Sequence, residues 1–150
     1  MKFKSARFSN KKKEVSIVYT SGKKAAVHYG SLGITDPIKQ IGVDEETSDR
    51  SLKIEFVNGK TDYMPYDQPL FLIRDPEYML RDHIENIVAR INEEIDSKKI
   101  SKKYLARQLK TSDNQVHRLL NPCIVNKNLT QLYKLGWLLG LEFEVSVKAA

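Results

Sequence analysis

Between positions 98 and 134 the chain carries nine basic side chains (Lys98, Lys99, Lys102, Lys103, Arg107, Lys110, Arg118, Lys127 and Lys134) against one acid, Asp113, for a net charge of +8. The stretch before it, 77–97, is the reverse. There Glu77, Asp82, Glu85, Glu93, Glu94 and Asp96 outnumber Arg81 and Arg90, for −4. Clustered ammonium and guanidinium groups, with apolar residues recurring among them, suit the binding of a polyanion. The plain alternative is a solvated lysine-rich face. The whole chain stands at +6, too little to choose between the two.

Residues for covalent or metal chemistry are sparse. His28, His83 and His117 never pair at the i,i+3 or i,i+4 spacing that holds a metal on one helix face. His83 falls near an apolar stripe and reads as a hydrogen-bonded structural residue. Cys123 is the only cysteine, so there is no intramolecular disulfide and no cysteine-based zinc site. With no base nearby it reads as an inert loop thiol, and it fits a reducing compartment, so a cytoplasmic location is expected. Gly30-Ser31-Leu32-Gly33 lacks the full phosphate-loop pattern. The run Tyr63-Met64-Pro65-Tyr66-Asp67-Gln68-Pro69 fits packing better than a partner-binding edge. No nucleophile, base and orienting group stand together. The expectation is a protein with no catalytic residues, no metal and no cofactor.

The elements that must position the basic segment follow from pattern. In 150 residues, 41% are hydrophobic and 29% charged, which fits one or two small globular domains. No apolar run reaches the roughly 18–20 residues of a membrane span, so no membrane partner is expected. Met1-Lys2-Phe3-Lys4-Ser5 has charge with no apolar stretch behind it, so no secretory leader is expected either. Residues 1–75 read as β-rich. Glu14-Val15-Ser16-Ile17-Val18-Tyr19 alternates, Gly22 offers a turn, and residues 24–29 return, which makes a hairpin. Leu52, Ile54 and Phe56 alternate with Lys53 and Glu55 ahead of Asn58-Gly59, the pair preferred in a type I′ turn, with residues 60–64 returning. Residues 30–50 read as a loop with a turn of helix near 37–41. Phe71-Leu72-Ile73 is a further short apolar run after Pro69. No internal repeat is visible.

Asp75-Pro76-Glu77 marks a boundary: Asp caps a helix and Pro suits its first position. A helix over 76–97 is predicted from Met79, Leu80, His83, Ile84, Ile87, Val88, Ile91 and Ile95, spaced by threes and fours. Ser101 caps a short helix that buries Tyr104, Leu105 and Leu109, with Ala106 small. Ser112 caps a second, over 113–121, with Val116, Leu119 and Leu120 inward. Two helices so short and so tightly joined must cross steeply, and Ala106 lets their backbones approach. Asn128 caps a last helix over 129–139, with Gly140 at the left-handed stop.

The string Ile100-Ser101-Lys102-Lys103-Tyr104-Leu105-Ala106-Arg107-Gln108-Leu109-Lys110-Thr111-Ser112-Asp113-Asn114-Gln115-Val116-His117-Arg118-Leu119-Leu120-Asn121 resembles the Cro/C1 (XRE) family of helix-turn-helix proteins. The resemblance extends over residues 84–141. The family's alanine falls on Ala106, its recognition-helix aliphatic on Val116 and its leucine on Leu119. One departure is Lys110, where the family usually has glycine; a left-handed non-glycine residue there costs on the order of 1 kcal/mol. What the resemblance implies is that the second helix enters the major groove, with Asp113, Asn114, Gln115, His117 and Arg118 at the base edges. Asn and Gln pair bidentately with adenine, and Arg with guanine. Ser101, Lys102, Lys103, Ser112 and Lys127 are then the phosphate contacts, which set affinity and salt dependence.

The expected architecture is α+β: a small N-terminal antiparallel β module (1–75) followed by a C-terminal helical bundle containing a helix-turn-helix (76–150). Residues 141–147, Leu-Glu-Phe-Glu-Val-Ser-Val, alternate and are expected to add a strand. The expected function is a sequence-specific regulator of transcription on double-stranded DNA, a repressor acting as a homodimer on paired half-sites. One alternative is an antitoxin that autoregulates its operon while the β module holds a toxin or other protein. Another is a non-enzymatic protein- or RNA-binding module.

Overall fold

The computed structural model describes residues 1–150. The chain is an α+β protein in which antiparallel sheets precede the helices. It divides into two compact units, Met1–Met79 and Leu80–Ala150. The sequence places the boundary four residues earlier, at Asp75. The first turn of the long helix goes with the first unit because Tyr78 packs on the β core and its N–H donates to the Asp75 carboxylate at 2.9 Å.

The first unit holds two three-stranded antiparallel meanders. One is β1 (Phe3–Ser9), β2 (Glu14–Tyr19) and β3 (Lys24–His28); the other is β4 (Ile38–Asp44), β5 (Ser51–Phe56) and β6 (Thr61–Pro65). Helix α1 (Asp67–Leu72) follows. Both hairpins expected from sequence are present, but residues 38–44 are a strand, not loop or helix. The reason is a register irregularity between Ile38 and Gln40. It moves the inward positions to Ile38, Ile41 and Val43, a three-then-two spacing that hides strand alternation and imitates a helix. β1 has the same irregularity between Phe3 and Ser5, and its inward residues are Phe3, Ala6 and Phe8. The apolar run at 71–73 lies mostly in a helix. Phe71 and Leu72 belong to α1, where Pro69 sits in a first turn whose N–H groups have no helical partner anyway.

The absence of a repeat is likewise overturned: the two meanders repeat one plan. Strand lengths match pairwise at seven, six and five residues. Both inner turns close alike. Gly22 N–H donates to Tyr19 C=O (2.9 Å) and Tyr19 N–H to Lys23 C=O (2.9 Å); Gly59 N–H donates to Phe56 C=O (3.0 Å) and Phe56 N–H to Lys60 C=O (2.9 Å). Gly59 has φ +87° while Asn58 stays at negative φ, so the turn is type I with a left-handed bulge glycine, not type I′. Tyr29 N–H donates to Lys13 C=O and Tyr66 N–H to Arg50 C=O, both at 2.8 Å. The halves also clasp reciprocally. Phe3 N–H reaches Asp49 C=O at 2.8 Å, and Ile38 N–H reaches the Asn10 side-chain oxygen at 2.9 Å. Their inner faces form one core, with Phe3, Val15, Ile17, Tyr19, Ile38, Leu52, Ile54, Met64 and Leu70 buried.

Helix α2 (Pro76–Lys98) buries Ile84, Val88, Ile91 and Ile95 at spacings of four, three and four, and Ile91 and Ile95 join the second unit's core. Helices α3 (Lys102–Leu109), α4 (Asp113–Leu120) and α5 (Leu129–Leu138) complete it with Leu105, Ala106, Leu109, Val116, Leu119, Leu120, Leu132 and Leu135. Residues 141–150 form no strand. This unit has no sheet edge to pair with, and the alternation instead seats Leu141 and Phe143 on the helical core while Val145 and Val147 stay exposed. Phe143 stacks on Tyr133 with ring centroids 4.5 Å apart, over Gly136. No helix of the protein is long and apolar enough to cross a membrane.

Candidate nucleic-acid interface

Helices α3 and α4 are each eight residues long, and each begins on a serine. Ser101 Oγ accepts from Tyr104 N–H at 3.1 Å, and Ser112 Oγ accepts from Gln115 N–H at 3.2 Å. Such caps satisfy donors that a helix leaves free in its first turn. Lys110 ends α3 in the left-handed region, φ 53° and ψ 48°. Thr111 N–H then returns to Ala106 C=O at 3.0 Å. This turn lets α4 start at once and pack Val116, Leu119 and Leu120 inward. Ala106 is buried.

The opposite side of α4 is free. Asp113, Asn114, Gln115, His117 and Arg118 are all exposed, and none has a salt bridge. Asn114, His117 and Arg118 share a face by the three-and-four rule. Ser101, Lys102, Lys103 and Ser112 are exposed at the leading ends of their helices. Gln115 and Arg118 line a small cleft of about 30 Å³ with Lys127, Asn126, Asn128 and Gln131. The structure thus brings Gln115, Arg118 and Lys127 together, while Ser101, Lys102 and Lys103 lie outside that cleft.

Lys127 has a structural task. Its ammonium donates to the carbonyls of Arg118 and Asn121, the second at 2.6 Å, and so closes the C-terminal end of α4. Burial, then the neighbouring Arg118 charge, lowers its pKa. Of its three protons, one is left for a phosphate. From α2, Asn92 closes the same end, donating to Leu120 C=O at 3.2 Å. Lys98 does the equivalent for α5 by donating to Leu139 C=O.

Gln131 and Asn126 are further polar members of the cleft, not marked out by charge or by the helix-turn-helix resemblance. Asn128 caps α5 by accepting from Gln131 N–H at 3.1 Å. That puts Gln131 where a reciprocal capping box would use its side chain. Its Oε1 instead is buried with no hydrogen-bond partner, beside Gln115 and Arg118. The spacing of Asn128 and Gln131 was the available signal. Nowhere do three or more His, Cys, Asp or Glu side chains group to hold a metal, and Cys123 is an exposed free thiol.

No family model matches this chain, and neither a curated protein nor a solved structure does.

Proposed function

We propose that the helical unit reads double-stranded DNA through α4, and that the protein is a sequence-specific regulator of transcription. A repressor fits best: nothing in the chain suggests chemistry, and occupancy alone can block a promoter. The observation that carries this reading is the exposure of Asp113, Asn114, Gln115, His117 and Arg118 on a serine-capped helix whose other face is fully buried. An α-helix fits the major groove, and amides and a guanidinium at its leading end match the donors and acceptors of adenine and guanine edges. The net +8 of residues 98–134 supplies the sequence-independent attraction. One such unit offers few base contacts, so two copies on paired half-sites are part of the proposal.

The test is selection of bound duplexes from a random pool at two salt concentrations. The regulator enriches a defined, palindromic site at both. Binding that stays sequence-blind and vanishes with salt would overturn the base-reading roles.

A further inference from the structure

The repeated meanders present two outward sheet faces built on one plan, and the segments that form them differ in charge. Residues 1–33 carry Lys2, Lys4, Arg7, Lys11, Lys12, Lys13, Lys23 and Lys24 against Glu14 alone, a net of +7. Residues 34–72 carry Asp36, Asp44, Glu45, Glu46, Asp49, Glu55, Asp62 and Asp67 against Lys39, Arg50, Lys53 and Lys60, a net of −4. The second meander acts as an internal control. Its equivalent strands form with acids on that face, so the fold does not require the cations of the first.

Only one of the eight cations serves the fold. Lys23 pairs with Asp75 at 2.8 Å and Glu77 at 3.0 Å. The other seven are exposed and make no salt bridge. They are arranged along the sheet: Lys2, Lys4 and Lys24 at one end, Arg7 in the middle, and Lys11, Lys12 and Lys13 in the β1–β2 turn at the other. A six-residue strand makes this track roughly 20 Å long. Across the strands, Arg7 stands in register with Ser16 and Ala26, and Ser5 with Val18 and Lys24. Ser5, Ser16, Ile17, Val18, Ala25 and Ala26 line a shallow open groove of about 610 Å³ that is mostly apolar, with Arg7 and Lys24 beside it, so a phosphate chain crossing it meets two hydroxyls and the flanking cations. In the second meander the matching rows are Gly42, Lys53, Tyr63 and Gln40, Glu55, Thr61.

We propose that the outer face of β1–β3 is a second contact surface for the phosphate backbone of duplex DNA, with Arg7, Lys24 and the lysines of the β1–β2 turn as its contacts. The choice of duplex DNA as ligand rests on the function proposed for α4; the surface itself does not. Its contacts are to the backbone, so it adds affinity and salt dependence without choosing sequence.

The test uses the full chain with a 30-base-pair duplex of arbitrary sequence, titrated by fluorescence anisotropy from 50 to 200 mM salt. Removing one phosphate-neutralising side chain reduces the slope of log K against log salt by about 0.9. Arg7→Ser with Lys24→Ser is expected to lower it by about 1.8, and Lys11→Ser with Lys12→Ser by a similar amount, while Lys53→Ser on the acidic face leaves it unchanged. The two variant pairs lie in different parts of the sheet, which guards against a folding defect in either. Unchanged slopes in both pairs overturn the proposal. So does an equal fall in Lys53→Ser. Loss of site selection in Asn114→Ala reports on α4 alone, so failure there and failure here are distinguishable.

Discussion

The hydroxyl of Tyr19 donates to the main-chain carbonyl of Tyr66 across 2.7 Å, joining the first meander to the end of the second. Tyr19 is fully buried and stacks on Phe3, with centroids 5.1 Å apart. Burial, then the charges of Asp67 and Asp75, drives its pKa far above the usual phenol value. Tyr19→Phe keeps the ring and leaves a carbonyl short of a donor, so a loss of about 1 kcal/mol is expected. A folded-state pKa raised in this way gives stability that is whole below the ordinary phenol range and falls as pH rises beyond it. Urea midpoints at pH 7 and pH 11 check both points: the wild type falls more than the Phe variant at the higher pH.

Asp75 gives the opposite pH response. Its carboxylate takes the Lys23 ammonium at 2.8 Å and caps α2 through Tyr78 N–H at 2.9 Å. The Lys23 hydrogen bond is the main reason its pKa lies below the ordinary carboxylate value. Stability from a lowered carboxylate pKa is present above the unfolded value and is lost as pH falls through the folded one. Asp75→Asn retains an oxygen for the cap but no charge for Lys23. Denaturant unfolding from pH 6 down to pH 2 is expected to show a shallower loss of stability in the variant than in wild type.

Lys110 adopts φ 53° where glycine would be unstrained. Lys110→Gly is expected to stabilise the helical unit by about 1 kcal/mol, with the gain trimmed by the freer unfolded chain. Lys110→Ala retains the Cβ and leaves stability unchanged. Urea unfolding followed by far-UV circular dichroism compares the three. An Ala variant as stable as the Gly variant would show that the backbone there is not strained.

Much of this fold is legible in the sequence, for local reasons. The caps Asp75, Ser101, Ser112 and Asn128 announce their helices because capping is short-range chemistry. β2, β3 and β5 show plain alternation. β4 was hidden because its register shift replaces period two with the spacing 38, 41, 43, and the repeat was hidden with it. Once the strands are aligned, Ile17, Gly22, Lys23 and Tyr29 recur as Ile54, Gly59, Lys60 and Tyr66, at a constant separation of 37. The α4 residues were readable because a short amphipathic helix needs only its own spacing. The helix-closing role of Lys127 was not, since its two carbonyl partners depend on how the loop 121–128 folds back. The tail's alternation was real, but a strand needs a neighbour and that unit has none.

Gly136 allows Phe143 to lie on α5. A Cβ there would clash with the Phe143 ring. Within a helix, alanine is favoured over glycine by about 1 kcal/mol. Gly136→Ala in the wild-type chain must push the ring away and lose its packing against Tyr133, so a net loss of stability is expected. In a Phe143→Ala background the clash is gone and the same substitution is expected to stabilise. The sign change in a double-mutant cycle, read by thermal unfolding, is the check; the same sign in both backgrounds would refute the contact.

The exposed end of α4 sets the last expectation. Side chains at base edges and side chains at phosphates fail differently when removed. Asn114→Ala or Gln115→Ala is expected to cost roughly 1–3 kcal/mol on the selected site and to relax preference at one base pair. The salt slope would hardly move. Lys102→Ala or Lys103→Ala is expected to weaken binding to every sequence alike and to reduce the slope by about 1. Neither kind of variant should alter folding, since all four side chains are exposed and none makes a salt bridge. Binding isotherms on the selected duplex and on a scrambled one, each at two salt concentrations, separate the two patterns. If the amide variants lower affinity equally on both duplexes, α4 holds DNA without reading it, and the regulator would need another source of sequence choice.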